Sequence, residues 1–165
     1  MYRFLKDSVM PALVLPFESL ANWRGDGISP GFDKSDFERA CDASVGAAVA
    51  VGDKQAFTIC NNVIEPAPYG IVVFNDRYVV VVGCAEHDED RLLGHINDRG
   101  RAKLLGQLDL SASGKLAVID PGCAGAELDG ADESKLYVRA MAPGVYNVRH
   151  YEIIDQYSFL IIDQV

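Results

Sequence analysis

The residues best suited to chemistry are three histidines, because imidazole titrates near neutral pH and also binds metal ions. One of them, His87, stands within an acidic run that could form a metal site or an acid–base site. The run consists of Glu86, Asp88, Glu89 and Asp90. These residues are consecutive at the start of a predicted helix, so their side chains cannot all converge on one point. We therefore interpret the run as a solvated, anionic helix end.

The rest of the sequence offers no complete catalytic motif in the structural context that such a motif requires. His95 lacks the second histidine of a zinc-protease motif, and His150 stands beside Glu152 as in a surface pair. The pattern GxSxG occurs once, as Gly27-Ile28-Ser29-Pro30-Gly31, but it lies in a glycine-rich predicted loop and not between a strand and a helix. SxxK does not occur, and no Lys-Ser/Thr follows the glycines of residues 122–130 to bind phosphate. The segment AELDGADE lacks the alternating oxygen ligands of a calcium loop. The sequence predicts no enzyme activity, no cofactor and no metal.

The net charge indicates which class of partner the chain can bind. The 165 residues include 24 acidic and 15 basic side chains, which gives a net charge of −9. Nucleic-acid binding depends mainly on Lys and Arg, so this charge argues against a nucleic-acid partner. It suits association with a basic protein, whose encounter would be accelerated by opposite fields. The alternative is that acidity only maintains solubility.

Two acidic segments are the candidate partner-binding residues. The first is the helix start with Glu86, Asp88, Glu89 and Asp90, and the second is a loop with Glu127, Asp129, Asp132 and Glu133. The alternative for each segment alone is an ordinary solvated surface.

Cysteine usage and hydropathy indicate the compartment. The four cysteines are widely separated and include no CxxC pair, which is typical of reduced thiols in a cytoplasmic protein. No apolar run approaches the ~20 residues needed to cross a bilayer. Asp7, Pro11 and Pro16 interrupt the N-terminal apolar stretch, so we expect neither a signal peptide nor a membrane partner.

The elements that must position any site are mostly strands. Gly52-Asp53 separates two apolar runs and residues 75–77 separate two more, which predicts two consecutive hairpins. The run 79–82 is continuously apolar, as in the centre of a sheet that is covered on both faces. A third hairpin is predicted from residues 106–110 and 115–120. Prolines flank residues 12–15, which predicts an edge strand.

Helices are predicted to be few and short. Ser35 or Asp33 can cap a helix that begins before Phe37, and residues 86–100 form a second amphipathic stretch. Trp23, the only tryptophan, is predicted to lie in the core. We predict an α+β fold with a mostly antiparallel sheet and two or three short helices packed on it. The chain is expected to be one domain, 1–165, with possible sub-lobes 1–103 and 104–165.

Several segments follow one another in a characteristic order. LVLPFESLANWRGD contains a strand, a helix and Trp-Arg-Gly, and the acidic-aromatic segment DFERACDA follows. VGAAVAVGDKQAFTIC and VIEPAP come next, and GKLAVIDPGCAG and APGVYNVRHYEI stand near the end. This series resembles the immunity protein 21 family of bacterial polymorphic-toxin systems, as a divergent member. The resemblance implies a non-enzymatic protein that binds a cognate toxin and protects the producing cell.

Two other classes of function stay open at the level of sequence. A small-molecule sensor could hold a ligand between the hairpins and the C-terminal sheet, in a pocket with convergent polar groups. A hydrolase or isomerase without a recognised motif is a further alternative. Oligomeric state is not indicated by any pattern in the chain.

Overall fold

Two antiparallel sheets and three short helical segments make up the described part of the chain. The structure, a computed structural model, describes residues 2–6, 12–43, 47–59, 69–73, 79–83, 103–128, 135–153 and 157–165. The strands are β1 (Tyr2–Lys6), β2 (Ala12–Pro16), β3 (Ala48–Val51), β4 (Lys54–Ile59), β5 (Tyr69–Val73), β6 (Val79–Gly83), β7 (Lys103–Asp109), β8 (Lys115–Ile119), β9 (Leu136–Ala140), β10 (Val145–Ile153) and β11 (Tyr157–Gln164). The helical segments are η1 (Phe17–Asn22) and η2 (Gly125–Glu127), both 3-10, and α1 (Asp36–Asp42). The predicted α+β class is confirmed.

The strand order shows how the predicted hairpins assemble. The six-stranded sheet has the order β1-β5-β6-β11-β10-β7, and the five-stranded sheet has the order β3-β4-β2-β8-β9. The predicted pairs β3–β4 and β5–β6 are confirmed, and each is antiparallel. β6 occupies an interior position in its sheet, as expected for its apolar run. Each sheet combines strands from before and after residue 103.

β2 is an interior strand, so the prediction of an edge strand over residues 12–15 was wrong. It pairs with β4 on one side and with β8 on the other, and all five of its residues are buried. Pro16 is the last residue of the strand, opposite Leu116. A proline at that position removes a backbone donor only at the strand end, so the interior of β2 keeps both ladders.

The interior strands β2 and β8 of the five-stranded sheet are buried on both faces. Val14, Phe57 and Val118 point toward the six-stranded sheet and pack with Tyr146 and Ile162 in a shared core. Because side chains alternate along a strand, the neighbouring residues of β2 and β8 point the other way. This second face carries a separate apolar core under η1, α1 and η2. The continuous apolar runs of β2 and β8 are the sequence signature of such double burial.

The predicted hairpin of residues 106–110 and 115–120 does not form. β7 pairs with β10 in one sheet, whereas β8 pairs with β2 and β9 in the other. The chain reverses at residues 111–114, where Gly114 has a φ of 61°. On one side of this turn Leu110 N donates to Gly144 O, and on the other Met141 N donates to Gly114 O. The turn signal was correct, but the reversal carries the chain from one sheet to the other.

Two predicted elements are not covered by the structure. The predicted helix of residues 86–100 and the predicted turn at residues 75–77 lie outside the described residues. None of the helices in the described ranges combines the length and apolar character required to cross a membrane.

One ion pair joins the two sheets at their surface. Lys54 at the start of β4 donates to Asp109 at the end of β7, with 2.5 Å between Nζ and Oδ2. The ammonium of Lys54 holds the pKa of the Asp109 carboxyl well below its ordinary value, and bonds from Ser111 act in the same direction. The same hydrogen bond raises the pKa of Lys54.

The substitution Asp109→Asn should lower stability in a pH-dependent way. Because the pKa of Asp109 is lower in the folded state than its unfolded value of about 3.9, its contribution is complete above about pH 5 and declines as the pH falls. The raised pKa of Lys54 preserves the contribution up to about pH 9. Urea unfolding should therefore show a larger difference between wild type and variant at pH 7 than at pH 3. The exposed carboxylate Asp26→Asn, which has no part in this ion pair, is the control. Equal differences between wild type and Asp109→Asn at both pH values would contradict the assignment.

Candidate functional site

The helix α1 begins with a complete capping box. Ser35 Oγ accepts a hydrogen bond from Glu38 N at 3.1 Å, and Glu38 Oε2 accepts one from Ser35 N at 2.9 Å. These two bonds satisfy backbone donors that a helix start would otherwise leave open. Of the two predicted caps, Ser35 is the one that the structure uses. The cap fixes where Asp36, the first residue of the helix, enters the protein.

Among the residues whose side chains the structure describes, Asp36 is the only charged one that is fully buried, with 0% exposure. Its Oδ2 accepts from Arg24 N at 2.8 Å and from Ser29 Oγ at 2.7 Å. Its Oδ1 accepts from Arg39 Nη2 at 2.7 Å. A buried carboxylate is tolerated only when it is paired and hydrogen-bonded, and Asp36 meets both conditions. It therefore ties the loop of residues 24–34 to α1.

Arg39 connects α1 to the edge of the five-stranded sheet. Its Nη1 donates to Ala50 O at 3.0 Å, on the edge strand β3. Its guanidinium carbon lies 3.7 Å from the ring centre of Phe32 and 5.9 Å from that of Trp23. The buried Nε has no acceptor among the described residues, because Asp36 directs Oδ2 toward Arg24 and Ser29. Arg39 thus caps an open strand edge and supports an aromatic ring of the loop.

Trp23 anchors a second loop against the same region. Its Nε1 donates to Pro121 O at 2.9 Å, and its carbonyl accepts from Gly125 N at 2.8 Å. A Cβ on Gly125 would lie 1.7 Å from Leu20 O, so only glycine fits there. The predicted core position of Trp23 is confirmed. Residues 121–125 are consequently held next to the start of the 24–34 loop.

A cleft of about 270 Å³ opens beside this network. Its lining includes Asn22, Arg24, Ser29, Phe32, Arg39 and Gly52. Two guanidinium groups, an amide and an aromatic ring are suited to a small anion with a flat or apolar part. The positive charge of these two guanidinium groups contrasts with the net negative charge of the whole chain.

The predicted partner-binding residues are only partly covered by the structure. Glu127 lies exposed in η2, at the start of the predicted acidic loop. The other members lie outside the described residues: Glu86, Asp88, Glu89, Asp90, Asp129, Asp132 and Glu133. Among the described residues, no group of three or more His, Cys, Asp and Glu side chains is arranged to hold a metal ion.

Sequence reasoning missed the role of Asp36 and Arg39. A separation of three residues on a helix is common for exposed ion pairs and carries no sign of burial. One signal was available, because Ser35-x-x-Glu38 is a capping-box pattern that places Asp36 in the first turn. That pattern locates the helix start but does not reveal what covers it.

Comparison with known proteins gives no match: no protein-family model, curated protein or solved structure matches this chain. The resemblance to the immunity protein 21 family therefore stays a prediction.

Removal of the Asp36 carboxylate should destabilise the protein strongly. Asp36→Ala leaves Arg39 partly buried without its counter-ion and removes the acceptor of Ser29 and of the Arg24 amide, a change that typically costs about 3–5 kcal/mol. Urea unfolding of the two proteins measures this difference. The control Asp26→Ala removes an exposed carboxylate of the same loop and should change the unfolding free energy by less than about 0.5 kcal/mol. Similar losses in both variants would show that Asp36 has no special role.

Proposed function

We propose that this chain is a non-enzymatic immunity protein that binds and neutralises a cognate antibacterial toxin through acidic surface patches. The observation that carries the proposal is the internal saturation of the Asp36 network. Both oxygens of the carboxylate accept hydrogen bonds from the protein itself. The donors are Arg24, Ser29 and Arg39. Asp36, Arg24 and Arg39 belong to the Trp-Arg-Gly and acidic-aromatic segments on which the family resemblance rests. The shared pattern is thus accounted for by packing and does not require a reaction.

The scaffold suits a binding protein. The interior strands β2 and β8 are buried on both faces, so their side chains are committed to two cores. Surface available to a partner is then provided by loops and by the sheet edges. With a net charge of −9, these loops suit a toxin with a basic surface. Such a surface is common on proteins that act on nucleic acid, because they must attract phosphate.

Charge reversal of the acidic loop provides the test. A variant with Asp129→Lys, Asp132→Lys and Glu133→Lys should bind the toxin at least about tenfold more weakly, because the long-range attraction becomes repulsion. The toxin is the basic effector fragment that the wild-type chain captures from lysate of its native cell. Its affinity for purified wild type and variant is then measured by calorimetry at two salt concentrations.

Two controls accompany this measurement. Substitution of the same three positions by Asn and Gln should give a smaller loss, since it removes attraction without adding repulsion. Thermal unfolding should be unchanged in both variants. Unaltered affinity in the lysine variant would exclude this loop from the interface, and failure of the wild type to capture any basic effector would exclude the immunity function.

A small-molecule sensor is the second candidate, favoured by the cleft at Arg24 and Arg39. The described side chains between the two sheets form a packed core, so a ligand is better placed in this cleft on the opposite face of the five-stranded sheet. Its volume of about 270 Å³ lies just below the usual range for ligand pockets, about 300–1,000 Å³.

A thermal-shift screen with small carboxylates and phosphate esters tests the sensor function. A true ligand should raise the midpoint of unfolding in a concentration-dependent manner. Arg24→Ala should abolish this shift, because it removes an exposed guanidinium of the cleft, whereas Lys34→Ala should leave it intact. If no compound of either class shifts the wild-type midpoint, the cleft is not a site for small anions.

A further inference from the structure

The 24–34 loop exposes apolar side chains at a restricted place. Where the structure describes side chains, six large apolar ones are exposed, and two of them lie four positions apart in this loop. Ile28 is 53% exposed and Phe32 is 41% exposed. Pro30, between them, is also exposed. Single exposed apolar residues are ordinary, whereas a cluster on one loop indicates a surface that another molecule covers.

The loop is held rigidly although it has no regular secondary structure. Asp36 binds it near its start, at Arg24 N, and at its centre, at Ser29 Oγ. Within the loop Gly27 N donates to Arg24 O at 2.9 Å, and Phe32 N donates to Ser29 O at 3.2 Å. A loop that is ordered before binding loses less conformational entropy in a complex, which favours affinity.

The charged side chains around the two apolar residues have an acidic excess, since residues 24–42 include five carboxylates and three cations. Asp26 and Asp33 are exposed on the loop itself, and neither has a hydrogen bond or ion pair to a described residue. Two exposed cations also lie on the loop. Arg24 Nη1 donates to Ile28 O at 3.3 Å, and the charge of Lys34 is balanced by Asp42, with 2.6 Å between Nζ and Oδ2. An apolar centre with a charged rim is the usual anatomy of a protein–protein interface.

We infer that the 24–34 loop is a docking surface for the cognate toxin domain, an inference that rests on the immunity function proposed above. Ile28 and Phe32 are the anchors and enter an apolar pocket of the toxin. Asp26 and Asp33 contact basic residues around that pocket. The stacking of Phe32 on Arg39 fixes one anchor before the partner arrives. The loop adds an apolar contact to the electrostatic attraction of the acidic segments.

The position of the loop supports its cooperation with the acidic loop. Gly25, at the start of the 24–34 loop, lies so close to residues 122–124 that an added Cβ would be 2.8 Å from their backbone. Glu127 follows this contact by three residues. One toxin surface could therefore meet the apolar anchors and the start of the acidic loop together.

The test measures the affinity of the purified effector fragment for single-site variants. Ile28→Lys should weaken binding at least tenfold, because the anchor is replaced by a cation that faces a basic partner. Leu104→Lys is the matched control, since Leu104 is 56% exposed on β7, away from this loop. It should change the affinity by less than twofold. Asp33→Lys should reduce the association rate and weaken its dependence on salt.

The outcomes separate this inference from the proposed function. If wild type and Ile28→Lys bind the effector equally well, the docking surface is excluded while the immunity function stands. If wild type captures no basic effector, both fail. Sedimentation of the chain alone addresses a second copy as the occupant. A wild-type dimer that becomes a monomer in Ile28→Lys, with effector binding unchanged, would assign the loop to self-association and overturn the inference.

Discussion

The buried carboxylate of Asp36 holds the 24–34 loop in place on α1, outside the five-stranded sheet. Asp36 has no exposure, and transfer of an ionised carboxylate from water into an apolar interior is strongly unfavourable without partners. Three donors from the loop and from α1 supply those partners. The loop can leave its position only if the carboxylate loses two of these bonds. The conformation of an otherwise irregular segment is thus coupled to the stability of the fold.

η1, α1 and the 121–128 segment form an outer layer that covers the second apolar face of the five-stranded sheet. The inner face of that sheet packs on the six-stranded sheet, and its outer face would meet water if η1, α1 and the 121–128 segment were absent. Trp23 joins the parts of this cover, since it is buried in the apolar core and hydrogen-bonded to Pro121. The 24–34 loop and residues 121–125 are thus both held next to Trp23.

Part of the candidate site was accessible from sequence and part was not. Composition alone indicates an acidic protein. Trp23 was correctly predicted as a core residue, and Ser35, one of two predicted caps, caps the helix. The Asp36–Arg39 pair was missed because its spacing on a helix is the same for an exposed and a buried pair. A buried pair differs from an exposed pair in what packs against the helix. Here the 24–34 loop packs there, and its sequence has no periodic pattern from which its position could be predicted.

The sequence by itself determined the local elements: apolar runs became strands, and glycine-bearing segments became turns. Local patterns have this power because side-chain alternation and backbone preferences act between near neighbours. Only the tertiary structure decided which strands pair. The turn at residues 111–114 was predicted correctly, yet β7 and β8 enter different sheets, and β2 lies inside a sheet despite its flanking proline. Strand pairing depends on hydrogen bonds and packing between distant segments, and the same dependence decides which carboxylate becomes buried.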